Sequence, residues 1–513
     1  MKKKIIITVI TVLILCFAAS AFAGCTEKPA PGPAASTAAP GKETKAADTV
    51  AETEPEVPDT YYIPGHKFND EPFVILCPGV NDNEWECKDF FAETDDEDAV
   101  ISAVFQRQKL IEDTYGVKIE MITDASRSTI GNLVKKDVLG GDPEYDLVMQ
   151  VMSNAYTLAQ SKYLANLENI PYLDLSSDAW DQSYLSQTSI SGQNYFATGE
   201  ITTMDNDATW VMMFNKKLAT DYDLDIYKLV NDNEWTFDKL YEITKDMYSD
   251  ENNNSKTDEK DIYGISTTID FTQGLFYAAD GRIIKKDNTD LPYLDFGNER
   301  NSKIIDAAIK IYYAANKITF DCHDYPSAAP NGAVHLTAQQ MFEENRALFY
   351  SEVMQCAIRL RDMDTNYGII PMPKFDKDQK YYTTHSVAGV TLCAMITKGI
   401  EAKNDRFERA GMIMQALAVE GKNILTPAYY EKSLIAKGTR DYESKDMLPI
   451  IFAHRTCDIG YMPEDSQVTS LFTAMRNMIK QGKNTVANTK AAQINKVNKG
   501  LNKLIDSFQS AAE

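Results

Sequence analysis

The chain is 513 residues long, with 52 basic against 75 acidic side chains for a formal net charge of −23, and it is 44% hydrophobic and 25% charged. That length leaves room for two or three domains with a sizeable core, and the balance is that of an ordinary folded chain rather than a disordered one. The acidic excess excludes a nucleic-acid partner, five histidines offer little to a histidine-based metal or catalytic centre, and a single long apolar run within the first 23 residues excludes a multi-span membrane protein.

That run follows Lys2, Lys3 and Lys4 and ends in small residues before Gly24-Cys25. A basic start, an apolar core and a small-residue region read as an export signal over residues 1–24. Three outcomes are open: retention as a membrane anchor, cleavage after Ala21-Phe22-Ala23, or lipidation of Cys25. The stretch Phe22-Ala23-Gly24-Cys25 resembles the bacterial lipobox, with Phe22 where leucine is usual. The resemblance implies a diacylglyceryl group on Cys25, and two acyl chains are what stable anchoring requires. Residues 25–65 then form a Pro- and Ala-rich tether without apolar periodicity, which cannot bury enough surface to offset its ordering entropy. Cys77, Cys87, Cys322, Cys356, Cys393 and Cys457 remain; disulfides and buried free thiols are both open, with Cys77 and Cys87 the nearest pair.

From Phe68 onward the pattern is α/β. Phe73-Val74-Ile75-Leu76 reads as a buried strand. Asp98 then caps a helix with Ile101, Val104, Phe105, Gln108 and Ile111 on one face. Val117, Ile119 and Met121 alternate as a strand does. A helix with Ile130, Leu133, Val134 and Val138 ends at Gly140-Gly141, and Asp146-Leu147-Val148-Met149 is the next strand. This alternation implies a mostly parallel sheet covered by helices. It resumes at Val211-Met212-Met213-Phe214 and at Tyr367-Gly368-Ile369-Ile370, and residues 470–508 are helical. Val80-Asn81-Asp82-Asn83-Glu84-Trp85 recurs as Val230-Asn231-Asp232-Asn233-Glu234-Trp235; the flanks differ, so these are two polar turns with an anchoring Trp, not a duplication.

Six stretches in order carry a resemblance: Tyr145-Asp146-Leu147-Val148, Leu164-Ala165-Asn166-Leu167, Tyr195-Phe196-Ala197-Thr198-Gly199-Glu200, Met213-Phe214-Asn215-Lys216-Lys217-Leu218, Glu234-Trp235-Thr236-Phe237-Asp238-Lys239-Leu240 and Gly368-Ile369-Ile370-Pro371-Met372-Pro373. Together they resemble the family 1 extracellular solute-binding proteins, the maltose-binding-protein class of ABC importer receptors. The resemblance implies a two-lobed α/β fold like that of periplasmic binding proteins. Lobe 1 would comprise residues 66–205 plus 387–437 and lobe 2 residues 206–386 plus 438–513. Crossings are expected near 203–209, near 383–387 and around 436–445, with the solute in the cleft between the lobes.

Aromatic faces stack on sugar C–H faces, while acids and amides take hydroxyls. On that basis Trp210, Asp205 and Asp207 at the first crossing, Tyr350 and Glu352 after a strand-like run, and Trp85 and Asn154 in loops are the candidate ligand contacts. His385, at the second crossing, reads as a satisfied polar hinge residue. Residues 250–261 place Asp250, Asn252, Asn254, Asp258 and Asp261 at loop positions 1, 3, 5, 9 and 12, the spacing that wraps a Ca²⁺ ion. Ser255 stands where glycine is usual and Asp261 where glutamate is, so a structural Ca²⁺ and a solvated acidic turn compete.

The sequence carries no H-E-x-x-H, G-x-S-x-G, C-x-x-C or Walker lysine loop, and paired carboxylates are unspecific in so acidic a chain. A hydrolase is therefore the weaker reading. The expectation is a non-enzymatic, monomeric receptor, lipid-anchored outside the cell membrane, that takes a small solute, a mono- or oligosaccharide, to an ABC permease and needs no cofactor. A sensor of the same fold, or one binding a non-sugar solute, is the alternative.

Overall fold

The computed structural model describes residues 66–79, 85–360, 363–433, 435–436, 439–440, 442–462 and 466–510. The export signal, Cys25, the tether and Val80 to Glu84 of the first repeat lie outside them.

The strands in chain order are β1 (Glu71–Pro78), β2 (Val117–Ala125), β3 (Leu147–Val151), β4 (Trp210–Asn215), β5 (Tyr263–Thr267), β6 (Ile284–Lys286), β7 (Pro292–Leu294), β8 (Thr319–Asp321), β9 (Ala347–Val353), β10 (Tyr367–Ile370), β11 (Thr384–His385), β12 (Leu392–Met395) and β13 (Arg455–Thr456). The helices that matter below are α1 (Ala99–Tyr115), α2 (Met152–Gln160), α3 (Gln182–Thr188), α4 (Phe271–Ala278), α5 (Ser466–Gln481) and α6 (Val486–Gln509).

Two sheets make two lobes. The first has the order β12-β3-β1-β2 and the second β10-β4-β9-β5-β8. In the first, β1 runs parallel to β2 and β3, while β12 returns antiparallel to β3. In the second, β5 is parallel to β8 and β9, and β4 is antiparallel to β9 and β10. The inner strands of the first sheet and β12 are buried on both faces and read as apolar runs, whereas the edge strand β2 alternates, with Lys118, Glu120 and Asp124 exposed. Phe73, Ile75, Leu147, Met149, Leu392 and Ala394 pack toward Ile111, Ala410 and Leu417. The intervening Leu76, Val148, Cys393 and Met395 pack toward Ile130, Met152 and Tyr156. The period of two sorts each strand between two helical layers.

Local signals place the elements. Asp98 caps α1 by accepting from Val100 N and Ile101 N, and Gly116 ends it in the left-handed conformation at φ 62°. The face of α1 differs from the expected one: Ile101 is exposed and Arg107 is buried in its place. The Arg107 guanidinium compensates its burial by donating to the carbonyls of Ile201 and Leu417, each at 3.0 Å, and to that of Asp89. Residues 470–508 form two helices, α5 and α6, broken at Gly482 with φ 66°. All six cysteines from Cys77 onward are buried free thiols. No helix among the described residues is long and apolar enough to cross a membrane.

Candidate functional site

The parallel strands place the site. β1, β2 and β3 end at Pro78, Ala125 and Val151, and β12 enters opposite Val151, so one edge of the first sheet carries three loop starts and one return. β5, β8 and β9 end at Thr267, Asp321 and Val353, and β4 enters opposite Val353. The chain passes between these two edges. Residues 203–209 lead out of the first lobe into β4, residues 386–391 lead back into β12, and Thr209 and Ser386 pair as a single antiparallel bridge. Val387 N donates to Ala208 O at 3.0 Å. A third segment joins them where β13 lies parallel to β11. Ligands favour the crevice outside the carboxyl ends of parallel strands, and here two such ends face each other across the crossings.

A buried ionic knot holds the crossings together. Arg455, on β13, reaches Asp181 Oδ2 with Nε at 3.0 Å and with Nη2 at 2.7 Å. Its Nη1 meets Asp205 Oδ2 at 3.0 Å and Asn206 Oδ1 at 2.8 Å. The rings of Tyr184 and Phe452 lie 5.3 and 5.4 Å from the guanidinium. Asp181 caps α3 of the first lobe, so one arginine links that lobe to two crossings. Burial pushes the Asp205 carboxyl up to about 7 against the pull of Arg455, with Glu200 and Asp181 adding repulsion. Asp181 and Asp205 share one cation with Glu200 nearby, and this crowding of carboxylates favours the protonated form of Asp205.

The sequence candidates separate once they are placed. Asp205 is buried in this knot. Asp207 accepts from the Tyr429 hydroxyl at 2.7 Å. Trp210 has no exposed surface: its Nε1 donates to Ser351 Oγ at 2.9 Å, its ring stacks on His385 at 5.5 Å, and a Cβ on Gly274 would come within 2.9 Å of Nε1. In this conformation Trp210 is core and offers no face to a ligand. His385 is not the hydrogen-bonded hinge residue expected. Neither ring nitrogen meets a partner among the described residues, and burial, with Arg476 nearby, pushes it down to about 3. It is a neutral flat spacer between Trp210 and Tyr277. Tyr350 is fully buried against Phe342.

Glu352, Trp85 and Asn154 lie at the facing edges. Glu352, next to last in β9, is half-buried and accepts from Thr268 Oγ1 at 3.1 Å, and burial followed by the charge of Asp270 pushes it up to about 7. Trp85 follows β1, part-exposed, and packs against both of the apolar clusters that take in the first sheet. Asn154 Nδ2 and Gln150 Nε2 both donate to the Arg127 carbonyl, at 2.8 and 3.0 Å, and Arg127 Nη1 reaches Gly389 O at 3.3 Å. The loop after β2 is thereby fixed beside the returning crossing. Sequence reasoning missed Asp181, Tyr184 and Arg455, because no local pattern joins positions so far apart.

In the loop of residues 250–261, Asn252 and Asn254 turn their amide nitrogens to Asp258, with Asn254 Nδ2 at 2.6 Å, while Asp250 accepts from Ser255 N at 2.8 Å. Asp261 Oδ2 takes Tyr248 OH and Asp258 N, whereas its buried Oδ1 has no partner among the described residues.

No protein-family profile matches the sequence and no curated protein matches it. Solved structures do match. The cyclic α-maltosyl-1,6-maltose binding protein of Arthrobacter globiformis superposes with a TM-score of 0.53 at 14% identity, over 84% of this chain and 99% of that one. The maltose-binding periplasmic protein of Listeria monocytogenes in complex with maltose gives 0.52 at 13%, over 85% and 99%. An ABC substrate-binding protein of Listeria monocytogenes in complex with cycloalternan gives 0.51 at 11%, over 84% and 99%. The chain therefore has the two-lobed α/β fold of these substrate-binding proteins.

Proposed function

We propose that this protein is an extracytoplasmic solute-binding receptor of an ABC importer and that it closes its two lobes on a mono- or oligosaccharide. The observation that supports this most is topological: the carboxyl ends of parallel strands from both sheets open toward the same crossings. A solute held there would touch both lobes only when they close, so it would favour the closed state, and closure is what a permease would recognise. The ligands named for the structural neighbours, maltose, a cyclic maltosyl-maltose and cycloalternan, make oligosaccharides the first choice. The role is capture, not turnover.

The test is a thermal-shift and calorimetric screen of the chain from Thr26 with maltodextrins, cyclic oligosaccharides, monosaccharides, amino acids, peptides and polyamines. A sugar at ~100 times its Kd stabilises by about 2.7 kcal/mol, an easily read rise in melting temperature. A shift with sugar and no product in the supernatant is the expected result. A shift confined to a non-sugar solute would remove the carbohydrate part, and hydrolysis of a sugar would remove the receptor.

Two further parts belong to the same reading. Cys25 would carry the lipid anchor; Cys25→Ser is then expected to move the protein from the membrane to the soluble fraction. The loop of residues 250–261 would hold a structural Ca²⁺ through Asp250, Asn252, Asn254, Asp258 and Asp261, a hard-oxygen donor set in which one buried oxygen, Asp261 Oδ1, has no partner among the described residues.

A further inference from the structure

The second sheet carries, on the edge facing the crossings, a turn whose chemistry solute capture leaves unused. β8 ends at Asp321, and Cys322 and His323 continue it into one turn of 3₁₀ helix that Asp321 caps by accepting from His323 N at 3.0 Å. Three donor atoms of three kinds converge there. His323 Nδ1 lies 3.2 Å from Asp321 Oδ1 and 3.7 Å from Cys322 Sγ, and all three lie within 4.8 Å of one another. A tetrahedral Zn²⁺ with bonds of about 2.0–2.3 Å needs edges of about 3.3 Å between oxygen and nitrogen and about 3.6 Å between nitrogen and sulfur. The turn has those edges already. We propose that Asp321, Cys322 and His323 form a binding site for a thiophilic divalent transition metal, with Zn²⁺ the best fit, on the cleft edge of the second lobe.

The surroundings suit a cation. The other carboxylate oxygen, Asp321 Oδ2, is held by Tyr312 OH at 2.6 Å and Lys480 Nζ at 2.9 Å, so Oδ1 is presented in a fixed direction, as outer partners commonly do for a metal ligand. Arg476 pairs with Asp270, and Lys480 is shared between Asp321 and Asp324, so neither cation answers Asp321 alone. His323 is exposed and gives access from solvent, while Cys322 and Asp321 are buried behind it. Binding displaces two contacts of His323 Nδ1, with Ile269 N at 3.3 Å and with Asp321 Oδ1 at 3.2 Å, and releases the Cys322 thiol proton to solvent. Three protein ligands leave a fourth position open to water or to a group on a bound solute.

The site does not depend on the sugar reading, and its test uses no sugar. The chain from Thr26 is titrated with Zn²⁺ against a colorimetric chelator, and with Co²⁺ by absorption. One Zn²⁺ per chain is expected, with a cobalt–thiolate band in the near ultraviolet. Cys322→Ser should abolish the band, and His323→Gln, a change at an exposed ring, should weaken Zn²⁺ by at least tenfold while leaving the metal-free melting temperature unchanged. Asp258→Asn, in the hard-oxygen loop, should leave Zn²⁺ uptake unaltered. No stoichiometric Zn²⁺ in the unaltered chain, or equal uptake by the His323→Gln chain, overturns the proposal.

Discussion

Arg455 and Asp181 are 274 positions apart in the chain, and the arginine's Nε still donates to the Asp181 carboxylate at 3.0 Å. The contact closes a loop through both lobes and completes the ionic knot with Asp205. Removing one partner of a buried pair strands the other charge, which costs more than the pair contributes. Arg455→Met should therefore lower stability by about 3–5 kcal/mol in urea unfolding. Adding Asp205→Asn should recover part of it by deleting one stranded carboxylate. A single mutant within experimental error of the parent would sink the idea.

Glu352 sets a pH window. Its folded value of about 7 lies above the ordinary 4.5, so between those limits the folded chain keeps a proton that the unfolded chain has released. Stability contributed by this group thus falls as pH rises through the window. Glu352→Gln should flatten that slope. At pH 8 the variant should gain about 2 kcal/mol over the parent, less than the full shift because the group is partly solvated, and nothing below pH 4. A constant offset at every pH would assign the effect to packing.

The four tryptophans give an optical test of closure. Trp180, Trp210 and Trp235 are buried to within 1% exposure, and Trp85 alone is part-exposed, just after β1 at the end of the first sheet that faces the crossings. Any solute-induced change in emission should therefore come from Trp85 and vanish in Trp85→Phe, with little change in melting temperature. Trp210→Ala should behave oppositely, losing about 3–5 kcal/mol with or without solute. A Trp85→Phe chain that keeps the full emission change would show that the solute reports through the core.

For the loop of residues 250–261, Ca²⁺ should raise the melting temperature and a chelator should reverse it. Asp258→Asn, which removes the charge that Asn252 and Asn254 both address, should abolish the response. Melting indifferent to chelator throughout would leave the loop an acidic turn.

Much of the fold was legible because it is written locally. The apolar run at Phe73 and the cap at Asp98 each act within a few residues. The crossings were expected from the family resemblance alone, and in the structure Thr209 and Ser386 pair where the two stretches meet. What was not legible depends on distant chain. Trp210 reads as a surface platform until Gly274 and Ser351 are brought against it. Arg107 reads as a polar helix position until three carbonyls from elsewhere converge on its guanidinium. Periodicity records which side of an element is covered, not by which lobe. The turn at Asp321, Cys322 and His323 passed unnoticed for a related reason: adjacent residues show no metal-ligand spacing, and only the capped turn brings their donor atoms together.

The two ends of the described chain are placed differently, the first on the first sheet and the last on a helix that touches both lobes. Phe68 N donates to Tyr115 O at 2.9 Å beside the first sheet. At the other end α6 brings Phe508 against Tyr156 and Tyr195, at 5.4 and 5.3 Å, and Lys162 Nζ reaches Ser510 O at 2.9 Å. A reporter at the Phe68 end would thus ride on the first lobe, whereas one at the end of α6 would sit on a helix that packs along α5 of the second lobe while its tip touches the first. A useful biosensor needs one dye on the second lobe, and the turn at Tyr222, 49% exposed, is a place to attach it.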